Sequence, residues 1–347
     1  HGQIRRQRQM CIRDRSNNKQ ENIMALVSHL KGKLKIPVVG APLFIVSGPE
    51  LVISQCKAGV VGSFPALNAR PQEVLDQWLT KIKEELDKHN QKNPDSPAAP
   101  FAVNQICHAS NDRLMQDMET CVKHEVPIII TSLRPPLEIV KAAHSYGGVV
   151  FHDVINVRHA RKAAEQGVDG LILVCAGAGG HAGTHSPFAL VREVKEWFDG
   201  TILLSGSISD GHSIASALAL GADLAYIGTR FIATKEANAD QGYKDMLISS
   251  SASDIVYSSL FTGVHGNYLK PSIEKAGLDP ENLPSADKTK MNFGSGGNTK
   301  SKAWKDIWGS GQGIGSIKND PSVQDLVDEL TNQYEQAYGE LQEKKTA

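Results

Sequence analysis

Eight short apolar, β-branched runs recur along the chain, at 36–42, 59–65, 101–107, 126–133, 147–154, 170–176, 201–207 and 224–230. Most lack the polar alternation of a sheet with one wet face, so they read as strands covered on both sides. Helical stretches fill the gaps. In RPQEVLDQWLTKIKEELDKH (70–89), Val74, Trp78, Leu79, Ile82 and Leu86 share one helix face. Ser186 followed by Pro187 opens another helix, and Asp210 opens a third that stops at Gly221. Eight strand-then-helix units predict an α/β fold of the (β/α)8 TIM-barrel type; an open doubly wound sheet commonly has fewer strands.

The strand rhythm stops after about residue 235. YKDMLISSSASDIV (243–256) and DPSVQDLVDELTNQYEQAYGELQEK (320–344) read as helices around a Gly/Pro/Asn-rich stretch near 262–316. The expected organisation is an arm at 1–23, a barrel at 24–235 and a mostly helical C-terminal cap at 236–347 that packs on the barrel. The arm holds six basic residues against two acids and no apolar segment. Its MCIRD is what a sequencing-adapter read translated in frame would encode, so the arm reads as artefact or disordered tail, with the natural start at Met24.

A net charge of −1 gives no reason to expect nucleic acid, and no apolar run approaches the ~20 residues that span a bilayer. The five cysteines (Cys11, Cys56, Cys107, Cys121, Cys175) are scattered and form no CxxC pair. They are expected to be reduced thiols in a cytoplasmic monomer or homodimer, without a zinc site.

Function in such barrels sits at the carboxyl ends of the strands. The residues there are Ala41-Pro42-Leu43-Phe44, Ser63-Phe64-Pro65, Asn104-Gln105, Thr131-Ser132, His152-Asp153, the loop 177–184, Ser205-Gly206-Ser207 and Gly228-Thr229-Arg230. Paired carboxylates are almost absent, which argues against glycosidase chemistry and against a hard-metal site. Glycines and hydroxyls dominate instead. SGS and GTR follow the last two strands, where this fold frequently binds phosphate, and AGAGGHAGT follows the sixth. Small residues there either bring backbone N–H groups to an anion or merely pack tight turns. The loop fails the GxGxxG pattern, since residue 182 is Ala, and GxxxxGK[ST] is absent, so a flavin mononucleotide (FMN) is the expected phosphate-bearing cofactor.

VCAGAGGHAGT (174–184), the stretch 203–237, LFTGVHGNYLKPSI (260–273) and PVVGAPLFIVSGPELV (37–52) closely resemble the nitronate monooxygenase (2-nitropropane dioxygenase) family. The resemblance covers Ile36 to the C-terminal helix. It implies an FMN-dependent monooxygenase that oxidises alkyl nitronates, and possibly nitroalkanes, with O2 to a carbonyl compound and nitrite. It implies Ala41, Pro42 and Leu43 against the flavin ring and Asn104 hydrogen-bonded to it. Gly180, Gly183, Gly206, Ser207, Gly228 and Thr229 would surround the ribityl phosphate, with Gly179, Ser205 and His152 as further cofactor contacts. His181 aligns with the family's catalytic base; an imidazole bonded to a loop carbonyl is the alternative. The chain departs from several relatives at Ser207, where they have glycine, and at His152, where some have lysine. His185, His265, Asn267 and Tyr268 are candidate substrate contacts, with ordered turns or solvent-facing positions as the alternative. WGSGQGIGSI (308–317) either folds over the flavin or makes no contact. Two other functions share the barrel and its glycine–histidine loop: an FMN-dependent NAD(P)H reductase of quinones or enoyl thioesters, and a flavin-binding protein without turnover.

Overall fold

The computed structural model describes residue 30 and residues 32–134, 136–284 and 306–346. The arm at 1–23, Met24, Cys11, Trp304 and the middle of the Gly/Pro/Asn-rich stretch lie outside the described residues. The strands are β1 Val38–Gly40, β2 Gly62–Pro65, β3 Phe101–Cys107, β4 Ile128–Leu133, β5 Val149–Val154, β6 Gly170–Val174, β7 Gly180–His181, β8 Thr201–Ser205, β9 Leu224–Ile227, β10 Ile255–Ser258 and β11 Gly266–Leu269. The helices are α1 Pro49–Lys57, α2 Val74–Lys92, α3 Leu114–Lys123, α4 Leu137–His144, α5 Val157–Glu165, α6 Pro187–Lys195, α7 Gly211–Leu220, α8 Thr229–Ile232, α9 Gln241–Ser249, α10 Lys270–Lys275 and α11 Val323–Thr346.

Eight parallel strands run in the order β1-β9-β8-β6-β5-β4-β3-β2. Val61 N–H donates to Val38 O (3.1 Å) and Gly40 N–H to Val61 O (2.8 Å), which brings the two edges together. The fold is therefore the expected TIM barrel. Alternation along each strand separates two cores. Val39, Val61, Ala102, Ile128, Ile130, Phe151, Ile172, Leu203 and Tyr226 fill the interior. Val38, Val103, Ile129, Val150, Leu171, Leu204 and Ala225 face the helices. Gly170 makes room for Phe151, whose ring would lie 2.6 Å from a Cβ there.

Local signals explain the outer helices. Leu75, Leu79, Ile82 and Leu86 bury one stripe of α2. Asp210 caps α7 by accepting from Ser213 N–H (2.7 Å), Ser213 Oγ accepts in return from Asp210 N–H (3.1 Å), and Gly221 ends the helix at φ 111°.

After β9 the described residues carry the helices α8 to α11, and one segment departs from expectation. The helix predicted over 243–256 stops at Ser249, and Ile255–Ser258 turns into β10, because IVYS is a β-branched and aromatic run that pairs with β11. β11 then pairs with β7, giving a second, antiparallel sheet in the order β10-β11-β7. The last helix, α11, does not cover the mouth. It packs against α7 and α1, on the flank where an eighth barrel helix belongs, and buries Val323, Leu326, Val327 and Leu330. Cys56, Cys107, Cys121 and Cys175 are free and buried. Among the described residues, no helix is long and apolar enough to cross a membrane.

Candidate active site

The carboxyl ends of the strands form three groups of residues. The first is polar and faces the barrel interior. Asn104 on β3 is buried and donates from Nδ2 to Ile130 O (3.3 Å) and Ser132 Oγ (3.0 Å). Ser132 Oγ donates to the Asp153 carboxylate. Burial pushes the Asp153 carboxyl up to about 6, with the Ser132 hydroxyl opposing the shift. Ala41 and Ser205 continue the same inward positions on β1 and β8. Ser132 and Asp153 were legible only as neighbours of strand ends; their register on the inner face is what gives them a place in the site.

His152 lies elsewhere. Val149 and Phe151 point inward and Val150 and Val154 outward, so His152 points outward too. It is 3% exposed, its Nδ1 lies 2.8 Å from Thr131 Oγ1, and burial together with the nearby His159 of α5 lowers it to about 4. The expected cofactor contact is not what the structure gives this residue; Asp153 takes the inward position beside it.

The second group is a cradle of backbone. The loops after β6, β8 and β9 meet the segment 309–316. A Cβ on Gly177 (φ 82°) would fall 2.1 Å from Ser207 Oγ, one on Gly179 2.7 Å from Gly311 N, and one on Gly206 (φ 137°) 2.8 Å from Ala176 O. Ser207 itself sits at φ 56°, a left-handed conformation rare without glycine. Gly311 N–H donates to Thr229 Oγ1 (2.9 Å) and Gln312 N–H to Gly177 O (2.9 Å), so WGSGQGIGSI folds onto these loops. Thr229 starts the short helix α8, with Gly228 before it. Gly228 faces the β1 turn, where a Cβ would lie 3.3 Å from Leu43 and 3.6 Å from Ala41. That turn is pinned by Asn68, which donates to Leu43 O (3.0 Å) and Ser47 O (2.9 Å) and accepts from Ile45 N–H (3.0 Å), holding Ile45 at φ 69°.

The third group is the loop of His181. β7 pairs with β11 through Gly180–Asn267 and His181–Gly266. Gly183 sits against Ile155, whose Cβ would lie 2.9 Å from a Cβ at 183. His181 is half-buried, its Nε2 lies 2.9 Å from Thr262 Oγ1, and desolvation lowers its pKa to about 4, so the imidazole is neutral near pH 7. The four candidate substrate contacts separate. His185 is exposed and its carbonyl accepts from Ala176 N–H (2.8 Å). His265 is exposed and stacks on Tyr257, 5.1 Å between centroids. Asn267 is buried and donates to Ala178 O (2.7 Å), tying the second sheet to the glycine loop. Tyr268 is fully buried, edge-on to Phe261.

A polar barrel mouth, a glycine cradle and a neutral histidine now stand together. The sequence model of the nitronate monooxygenase family matches residues 27–333. The chain belongs to that family. Family members are flavin-dependent oxidoreductases. Similar curated proteins include a nitronate monooxygenase of Paraburkholderia phytofirmans, 24% identical over 88% of this chain and 94% of the relative. They also include a (3aS,4S,5R,7aS)-5-hydroxy-7a-methyl-1-oxo-octahydro-1H-indene-4-carboxyl-CoA dehydrogenase of Rhodococcus jostii, 28% identical over 68% of this chain and only 63% of the relative's length. Among solved structures, a nitroalkane oxidase of Streptomyces ansochromogenes superposes with a TM-score of 0.74 at 21% identity, covering 91% of this chain and 99% of its own. FabK of Thermotoga maritima superposes with a TM-score of 0.72 at 20% identity, covering 91% and 97%. Both likenesses show the fold.

Proposed function

We propose that this family member oxidises alkyl nitronates, and the nitroalkanes that yield them, with O2 to a carbonyl compound and nitrite, using FMN. The observation that carries the reading is the meeting of the backbone cradle with a neutral imidazole at one barrel mouth. The cradle suits a phosphate monoester: Gly177, Gly179 and Gly206 let the loops approach one another more closely than any Cβ would permit, at the loops where barrels bind phosphate. Arg230, next in sequence, is turned away to Asn319 and the Ala233 carbonyl. Backbone N–H groups and the hydroxyls of Ser207 and Thr229 would therefore carry the anion, with Gly180, Gly183 and Gly228 lining its approach. Ala41, Pro42 and Leu43 and the inward Asn104 and Ser205 would flank the ring.

When bound, FMN supplies the redox chemistry. The chain's own part is to hold a proton acceptor at the carbon next to the nitro group. His181 accepts that proton because burial keeps its imidazole neutral, and the imidazolium that results stabilises the nitronate charge. A preformed nitronate needs no such step.

Oxygen uptake and nitrite release with ethylnitronate, propionate 3-nitronate and nitroethane test the reading, beside a His181→Ala variant. The parent should release nitrite, and the variant should keep FMN while losing nitroethane turnover by about 10²–10⁴-fold. A second reading, an NAD(P)H-dependent flavin reductase of enoyl thioesters or quinones, is favoured by the CoA-thioester dehydrogenase among the relatives. Anaerobic flavin bleaching by NADH or NADPH, and not by nitronate, would select it. FMN retention without turnover of either kind would leave a flavin-binding protein.

A further inference from the structure

Three inward side chains on consecutive strands form a one-way hydrogen-bond chain. Asn104 on β3 donates from Nδ2 to Ile130 O (3.3 Å) and to Ser132 Oγ (3.0 Å) on β4. Ser132 Oγ donates in turn to the Asp153 carboxylate on β5. A backbone carbonyl only accepts, so the nitrogen of the Asn104 amide must face Ile130. That nitrogen only donates, so the Ser132 proton goes to Asp153. What the amide has left is Oδ1, an acceptor that makes no hydrogen bond among the described residues. Burial holds the Asp153 carboxyl up at about 6, while the Ser132 hydroxyl and the Leu133 N–H favour the carboxylate. The titratable groups around it are the Cys107 thiol and the Tyr226 phenol. Burial, and after it the Asp153 charge, raises both, so both stay neutral. Arg134, just past β4, is exposed to water.

We propose that Asp153 is a positioning residue for the flavin: through Ser132 it turns the Asn104 amide oxygen toward a ring N–H, and its charge holds the reduction potential of the ring down. This rests on FMN binding at this mouth, and adds which atom of Asn104 acts and what sets it. An oxidised isoalloxazine ring has one N–H, at N3, so N3 is the partner. A ring that takes up electrons gains negative charge, and a carboxylate nearby in a low-dielectric site opposes that gain. The effect is reciprocal: reduction of the ring raises the affinity of the carboxyl for a proton. Asp153 touches no reacting atom; it acts through Ser132 and Asn104 and through its field.

Dye equilibration of the FMN-loaded protein between pH 5 and 8 measures the potential, and 15N-labelled FMN bound to the apoprotein reports the N3–H. Asp153→Asn removes the charge and keeps an oxygen for Ser132. At pH 8 it should raise the reduction equilibrium constant about tenfold, about 30 mV for a two-electron couple. At pH 5, where the parent carboxyl is protonated, variant and parent should agree within about twofold. Ser132→Ala breaks the chain and keeps the charge. It should speed exchange of the N3–H with water by about tenfold and retain a pH-dependent potential. An Asp153→Asn shift of equal size at both pH values, or none, would overturn the role of the charge. An N3–H signal that Ser132→Ala leaves unchanged would overturn the positioning. Flavin bound without nitrite release by the parent would count against the proposed oxidation alone, and the potentials would still decide the role of Asp153. A parent that takes up no FMN would overturn the cofactor reading and this inference together.

Discussion

His152 and Asp153 are consecutive residues on opposite faces of β5, and they titrate in opposite senses. His152 is buried outside the barrel at about 4, against ~6.5 for an unfolded histidine. The folded protein binds that proton poorly, so the contribution is whole above pH ~6.5 and drains as pH falls toward 4. The gap is worth about 3 kcal/mol. Urea midpoints at pH 7.5 and 5 should show His152→Asn losing less stability than the parent on acidification. Asp153 runs the other way. Its pKa of about 6 lies above that of an unfolded carboxyl, so its favourable contribution is present below pH ~4 and lost as pH rises through 6. Asp153→Asn should therefore be more stable than the parent at pH 8, by up to about 3 kcal/mol, and not at pH 4. A variant less stable at both pH values would show that the carboxylate is needed by Ser132 and Asn104 in its charged form. Two adjacent letters could be read as strand-end residues, but which faced inward depended on where the strand began, and a shift of one residue exchanges them.

At the scale of elements, the helices and strands that carry strong local signals came out where the pattern put them. β3 matches its predicted run at both ends, and the Asp210 cap and Gly221 stop bound α7. The run 243–256 failed because YKDMLIS and IVYS obey different periodicities, and only pairing with β11 decided where helix gave way to strand. The glycine loops make a sharper test. Gly179→Ala places a Cβ against the backbone of Gly311, not against a movable side chain. It should cost about 1–3 kcal/mol in thermal stability and weaken FMN binding to the apoprotein, read by quenching of flavin fluorescence. Gly315→Ala, on the same segment but with nothing within 4 Å of its Cβ, should change neither. Loss of FMN in both variants would remove the special role given to the close contact.

At the scale of the molecule, the chain delays its eighth outer helix. β9 ends at Ile227, yet the helix that closes the ring beside α1 and α7 begins at Val323. The intervening residues build the second sheet and the segment that lies on the cradle. The C-terminal helix is thus barrel wall, and its removal should unfold the barrel as well as the cap. Leu326→Ala and Leu330→Ala should each cost about 2–5 kcal/mol, and a chain ending at residue 322 should be insoluble or lack cooperative melting. A truncated chain that melts cooperatively with bound FMN would show the flank to be dispensable.

By itself the sequence determined the barrel, because hydrophobic period, cap and glycine stop are local and eight units leave few ways to close. It also marked the glycine loops and His181, since residues of unusual conformational freedom after a buried strand are visible as letters. Only the tertiary structure decided the rest. The inward Asp153, the fold of 309–316 onto the cradle and the contact between Thr262 and His181 join residues 21 to 135 positions apart. Such contacts are set by register and by a sheet formed between distant segments, and neither is written in any one of them.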